Sequence, residues 1–225
     1  MKNIVTYFLI VVLNLLPGYV EAVDLASAVQ SIESEWARIR YSVAKEQQEK
    51  EFTRLLVTVE TFQVEHPKQA ELIIQKAIVV ATNAENVAPL DALDAIHEAR
   101  DLLLQAIKLN PNALQGAAYV TLGTLYYRVP AWPIAYGDDD KAQQLLENAL
   151  AINANTIDAN YFYADFLVAQ GKQGQALKHF NRALNVPVRE SQILADTRLQ
   201  ALAQEAIDEL GAKEKGLFLA AAVTN

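Results

Sequence analysis

Residues 158–187 read DANYFYADFLVAQ, then GK, then QGQALKHFNRALN, then VP. Both long runs set apolar residues three and four apart, the period of a helix with one buried face. The Gly171-Lys172 pair between them is a tight turn. In the second run Ala176, Phe180 and Ala183 fall at spacings of four and three, so one face carries a small, a large and a small side chain. The small pair lets a neighbouring helix approach closely while the phenyl ring fills the hollow between them. In the first run Ala164, between Tyr163 and Leu167, is the small residue at the crossing. The pattern predicts a helical hairpin that Pro187 closes.

The same device recurs upstream. Ala142, Leu146 and Ala149 repeat the spacing before Asn153-Ala154-Asn155, and Ala99, Leu103 and Ala106 repeat it before Asn110-Pro111. A matching first helix carries Tyr119, Leu122, Gly123 and Tyr126, with Gly123 at the crossing. Ala149 and Ala183 stand 34 residues apart, whereas Ala106 and Ala149 stand 43 apart. The excess lies in residues 129–137, VPAWPIAYG, an insertion between the two helices of the middle unit. No single hairpin buries its apolar face alone, so neighbours must stack.

Working outward, the chain predicts about nine helices and no strands. The first spans about Asp24 to Lys45, with Leu25, Val29, Ile32, Trp36, Ile39 and Val43 on one face; the charged stretch Lys45 to Glu51 then bridges to a second helix or marks a kink. That second helix stops near His66, because the residue before Pro67 is pushed away from helical geometry. A third opens on Pro67 and runs to about Asn83, and a fourth runs from Pro89 to Leu109, proline being favoured in a first turn. Helices over Asn112–Arg128, Asp139–Ile152, Asp158–Gln170, Gln173–Asn185 and Arg189–Leu210 complete the set, followed by a tail from Gly211.

The hairpins resemble tetratricopeptide repeats, whose unit of about 34 residues is a helix pair with small residues at the crossing and a proline near its end. The likeness is closest over Asp158 to Pro187, extends over Asn112 to Asn155, and is faint before Ala99. It implies an all-α fold in which antiparallel hairpins stack as a right-handed superhelix, its concave face lined by first helices and gripping a peptide or protein. The corresponding division is a leader over 1–22, helices that cap the stack or are degenerate repeats over 23–88, repeats over 89–187, a capping helix over 188–211 and a tail over 212–225.

Residues 1–22 have the form of a secretory signal: Lys2, the apolar run Ile4 to Leu16, Pro17-Gly18, then Val20-Glu21-Ala22 before the expected cut. The periplasm is the expected compartment. Cysteine is absent, which removes disulfides, thiolate metal sites and cysteine nucleophiles. The formal net charge is −8, and lysines and arginines are spread singly along helices, which argues against a nucleic-acid ligand. The apolar run Leu217 to Val223 is too short to cross a membrane.

The insertion is the leading functional element: Trp132 and Tyr136 among prolines either form a rigid lid at one end of the groove or plug the gap that the insertion makes. Tyr127 and Arg128 adjoin it. On the next first helix Asn160, Tyr161 and Asp165 are expected to point into the groove, with Tyr119 adding to that surface; all are open to ordinary packing instead. Asp138, Asp139 and Asp140 read as helix capping in preference to a cation site. The histidines His66, His97 and His179 are scattered, Asp101 stands where a zinc helix begun by His97-Glu98 needs its second histidine, and no phosphate loop or nucleophile elbow occurs. The expectation is a non-catalytic periplasmic scaffold for a protein or peptide, able to self-associate and needing no cofactor or metal. The alternative is a small-ligand accessory of a periplasmic solute transporter, with an enclosed pocket near Trp132, Tyr136 and Tyr161.

Overall fold

The computed structural model describes residues 24–223, so the leader predicted over 1–22 lies outside it. Among the described residues there are nine α-helices and no strand: α1 Leu25–Ser42, α2 Lys45–Glu65, α3 Ala70–Asn83, α4 Pro89–Leu109, α5 Ala117–Arg128, α6 Asp139–Ile152, α7 Ile157–Ala169, α8 Gln173–Asn185 and α9 Ile193–Val223. Each helix packs on the next, giving the all-α, solenoid-like stack expected from the hairpin pattern. The repeated trios lie at its centre: Ala99, Leu103, Ala106, Ala142, Leu146, Ala149, Ala176 and Ala183 are 0% exposed and Phe180 is 1% exposed. At the α5–α6 crossing a Cβ on Gly123 would stand 2.8 Å from Leu146 Cγ, so the bare backbone is what lets the two helices meet.

Odd-numbered helices form an inner layer. α1 touches α3, α3 touches α5, α5 touches α7 and α7 touches α9; α9 and the short turn Glu190–Gln192 then return to α1. The stack therefore curls until its two ends meet, which the repeat pattern alone does not announce. The even helices lie outside and pack on their sequence neighbours.

Several boundaries differ from the sequence reading: α9 begins at Ile193 and not at Arg189, after the 3-10 turn Glu190–Gln192, and four others have a local reason. The break after α1 falls at Val43-Ala44, both extended, and Lys45 to Glu51 forms the first turns of α2. Pro67 does not open α3: Lys68 takes a φ of 61° and the helix begins at Ala70. Residues 113–116 form a 3-10 turn and not the start of α5, because Leu114, Gln115 and Gly116 adopt positive φ; Leu114 packs on the core and Asn153 holds the Gln115 side chain at 2.6 Å. Finally α9 runs on to Val223 through the predicted tail. Gly211 costs only about 1 kcal/mol in a helix, and Ala212, Lys213 and Glu214 after it are strong helix formers.

The insertion is a closed loop. The Asp138 amide donates to the Tyr126 carbonyl at 2.9 Å, the Gly137 amide donates to the Pro130 carbonyl at 2.9 Å, and Ala131 and Gly137 form an isolated bridge. A Cβ on Gly137 would run into the Val129 carbonyl, so the loop needs glycine at its base. Asp138 caps α6 by accepting from the Lys141 amide at 3.0 Å, with Asp139 and Asp140 in the first turn, where carboxylates complement the helix dipole.

Candidate functional site

Two polar clusters occupy the inner layer. The first joins α5 to α7. Arg128 ends α5, where a cation complements the helix dipole, and its Nη2 donates to Asp165 Oδ2 at 2.6 Å. The Tyr127 hydroxyl donates to the same oxygen at 2.6 Å, and Arg128 Nε donates to the Tyr127 hydroxyl at 3.2 Å. The guanidinium also lies 5.5 Å from the centre of the Tyr127 ring and 5.7 Å from that of Phe162, within cation–π range. Burial pushes the Tyr127 hydroxyl well above its usual value and that of Tyr161 up to about 12, so both are neutral donors near neutral pH.

The second cluster joins the ends of the chain. Glu33 on α1 accepts from Gln75 Nε2 of α3 at 2.9 Å, and the Gln192 side chain in the turn before α9 lies on its other side. Arg189 and Asp158 act on its charge from the far side. Burial outweighs the donors and raises the Glu33 carboxyl above its ordinary value. Beside it, Asp196 of α9 is fully buried and takes three bonds from Arg189: the backbone amide and Nε each at 2.9 Å to Oδ2, and Nη2 at 2.6 Å to Oδ1. Arg189 Nη2 also stands 4.0 Å from the Asp158 carboxylate.

The predicted site residues separate into several environments. Tyr127, Arg128 and Asp165 are gathered as described. Tyr161 is half-buried, its ring 5.8 Å from Phe180 and 5.2 Å from Phe162. Tyr119, also half-buried, packs on the apolar group of Val120, Ala149 and Ala159. Asn160 does not point into a groove: it is fully buried, its Nδ2 donates to the Ala154 and Thr156 carbonyls at 2.9 and 2.8 Å, and its Oδ1 faces His179 Nδ1 at 3.1 Å. Only one aromatic of the insertion fills the gap. The Tyr136 hydroxyl donates to the Ile96 carbonyl at 2.7 Å, with His97 and Tyr126 each 5.2 Å away edge-on and Arg100 4.9 Å over the ring. Trp132 instead is 85% exposed, and Ile134 beside it is 65% exposed.

Trp132, Tyr136 and Tyr161 thus face different neighbours. Two surface depressions lie elsewhere, one of about 460 Å³ along α4 at Asp101, Leu104 and Lys108 and one of about 280 Å³ between α2, α3 and α4. Among the described residues no three metal-ligating side chains converge.

Sequence reasoning missed the second cluster, although a signal was present. Glu33 stands four residues after Val29 and three before Trp36, a carboxylate on the inward face of α1, and Asp196 stands three and seven before the core residues Leu199 and Ala203. An acid at a core position needs a partner. The chain matches no protein-family model and no curated protein.

Proposed function

We propose that the protein is a non-catalytic, tetratricopeptide-like scaffold that holds a protein or peptide partner, with Trp132 as the anchor. One observation carries this reading: a tryptophan 85% exposed beside an isoleucine 65% exposed, on a loop whose base is tied by backbone hydrogen bonds. Apolar area left in water is recovered when a partner covers it, and tryptophan is the residue that most often dominates such contacts. The tied base matters as well, because an ordered loop loses little entropy on binding. The inner-face groups Tyr127, Arg128 and Asp165 bond one another, whereas the loop presents an exposed tryptophan and isoleucine side by side. The periplasm is the compartment of this reading, after the leader-like form of residues 1–22.

The test is a pull-down from envelope extract with native protein and Trp132→Ala. The variant is expected to lose the partner about 30-fold or more, the effect of a hot-spot residue. Its unfolding free energy should stay within about 0.5 kcal/mol of native, as for a surface substitution. Undiminished capture by Trp132→Ala would remove the anchor from the account.

A further inference from the structure

The Trp132 loop sits in a surface whose charges are unevenly matched. Its Tyr136 hydroxyl donates to the Ile96 carbonyl at 2.7 Å and its Tyr136 ring meets His97, so the loop borders the N-terminal half of α4. Asp94 stands three residues before His97 and Leu90 seven before it, on the same face of that helix one and two turns back. Leu90 is 79% exposed, and Asp91 and Asp94 are exposed beside it. At the other end of the loop Asp138 leads into α6, with Asp139 and Asp140 exposed in the first turn. Trp132, Ile134 and Leu90 are therefore apolar spots among carboxylates.

The cations adjoining the loop are already engaged. Arg128 pairs with Asp165 at 2.6 Å, Arg100 pairs with Asp101 at 2.8 Å while lying over the Tyr136 ring, and Lys141 pairs with Asp138 at 3.4 Å while facing the Tyr126 ring. Asp91, Asp94, Asp139 and Asp140, by contrast, have no ion pair among the described residues. Helix dipoles account for acids in a first turn, as at Asp91, Asp139 and Asp140. Each dipole end offsets only about half a charge, however, and Asp94 lies beyond that turn.

We propose that the Trp132 loop and its acidic border dock a basic segment of a partner protein, one that offers arginine or lysine together with an apolar side chain. This partner chemistry rests on Trp132 being the anchor. A guanidinium can lie on the exposed indole face and meet a neighbouring carboxylate at the same time, while an apolar side chain covers Ile134 or Leu90. Rim charges of this kind steer approach and reject partners of like sign. A second copy of this chain, at formal net charge −8, is such a partner, as are a nucleic acid and an anionic lipid surface, and the same carboxylates disfavour all three.

Native protein and Trp132→Ala, each immobilised, are presented with a random peptide library displayed on phage, and the sequences retained by the native protein alone are read out. Those sequences should be enriched in arginine and lysine, and depleted in aspartate and glutamate, relative to the library. A fluorescently labelled peptide of the leading sequence then gives the affinity in solution. Asp91→Asn, Asp94→Asn, Asp139→Asn and Asp140→Asn combined should weaken binding about tenfold at low salt, the sum of four modest exposed charges. Raising the salt to about 1 M, where the screening length falls to about 3 Å, should erase the difference. Asp94→Asn alone, clear of any helix start, should still weaken binding about twofold. If no sequence depends on Trp132, the anchor falls and the basic partner with it. If the Trp132-dependent sequences are neutral or acidic, or if both asparagine variants bind the leading peptide as the native protein does, the basic partner is overturned while the anchor stands.

Discussion

Phe180→Ala is expected to lower the unfolding free energy by about 3–5 kcal/mol, the range for removing a fully buried ring. Phe180 is 1% exposed, between Ala176 and Ala183 on α8, with the Tyr161 ring 5.8 Å away and the cluster of Ala142, Leu146, Ala164 and Leu167 around it. The flanking alanines bring neighbouring helices too close for a side chain to swing into the space, so the site collapses little and the cavity term remains. Urea denaturation followed by helix signal measures the loss. A fall below about 1 kcal/mol would mean that the ring is not the filler of this crossing.

Asp196→Ala should cost about 3 kcal/mol, at the lower end of the range for breaking a buried ion pair. The substitution orphans three donors of Arg189 at once: the backbone amide, Nε and Nη2. Arg189 keeps 30% of its side chain exposed, so water recovers part of its charge and the upper end of the range is not reached. Since Asp196 pins the segment before α9 to the first turns of that helix, fraying of residues 189–196 should accompany the loss, as faster amide exchange there. Double-mutant comparison with Arg189→Ala should recover most of the penalty, because both partners are then gone.

How much of this could be read in advance depends on which force decides each element. α4, α6 and α8 begin and end at the predicted residues, because Pro89 and Asp138 start two of them and the small-large-small trios continue to their last turns. Those trios act through side-chain volume at fixed helical spacing, which a sequence displays directly. Backbone conformation is displayed less well: nothing in Leu114-Gln115 signals that two non-glycine residues accept positive φ, and packing of Leu114 decides it. Likewise Trp132 and Tyr136 are both aromatic residues in a proline-rich insertion, and only the loop closure at Pro130 and Gly137 turns one inward and the other to solvent. Asn160 is expected in the groove because Tyr163 takes the crossing face of the same helix. The carbonyls left free by the Ala154–Thr156 turn gave it an interior partner instead. The meeting of α1 and α9 depends on curvature summed over every hairpin, a quantity that no local pattern carries.

The premise under all of this is that helices nest where a small residue permits contact. It is tested most directly by denaturing Gly123→Ala and Gly174→Ala side by side. Both changes put one methyl group on a helix and share the gain of up to about 1 kcal/mol in helix propensity. A Cβ at Gly174 meets nothing within 4 Å, whereas at Gly123 it meets Leu146 Cγ at 2.8 Å. Opposite signs are predicted: Gly174→Ala neutral to stabilising, and Gly123→Ala destabilising by the about 1–3 kcal/mol of an overpacked crossing less that gain. Equal stabilisation by the two substitutions would contradict close nesting at the α5–α6 crossing, and with it the basis of the stack.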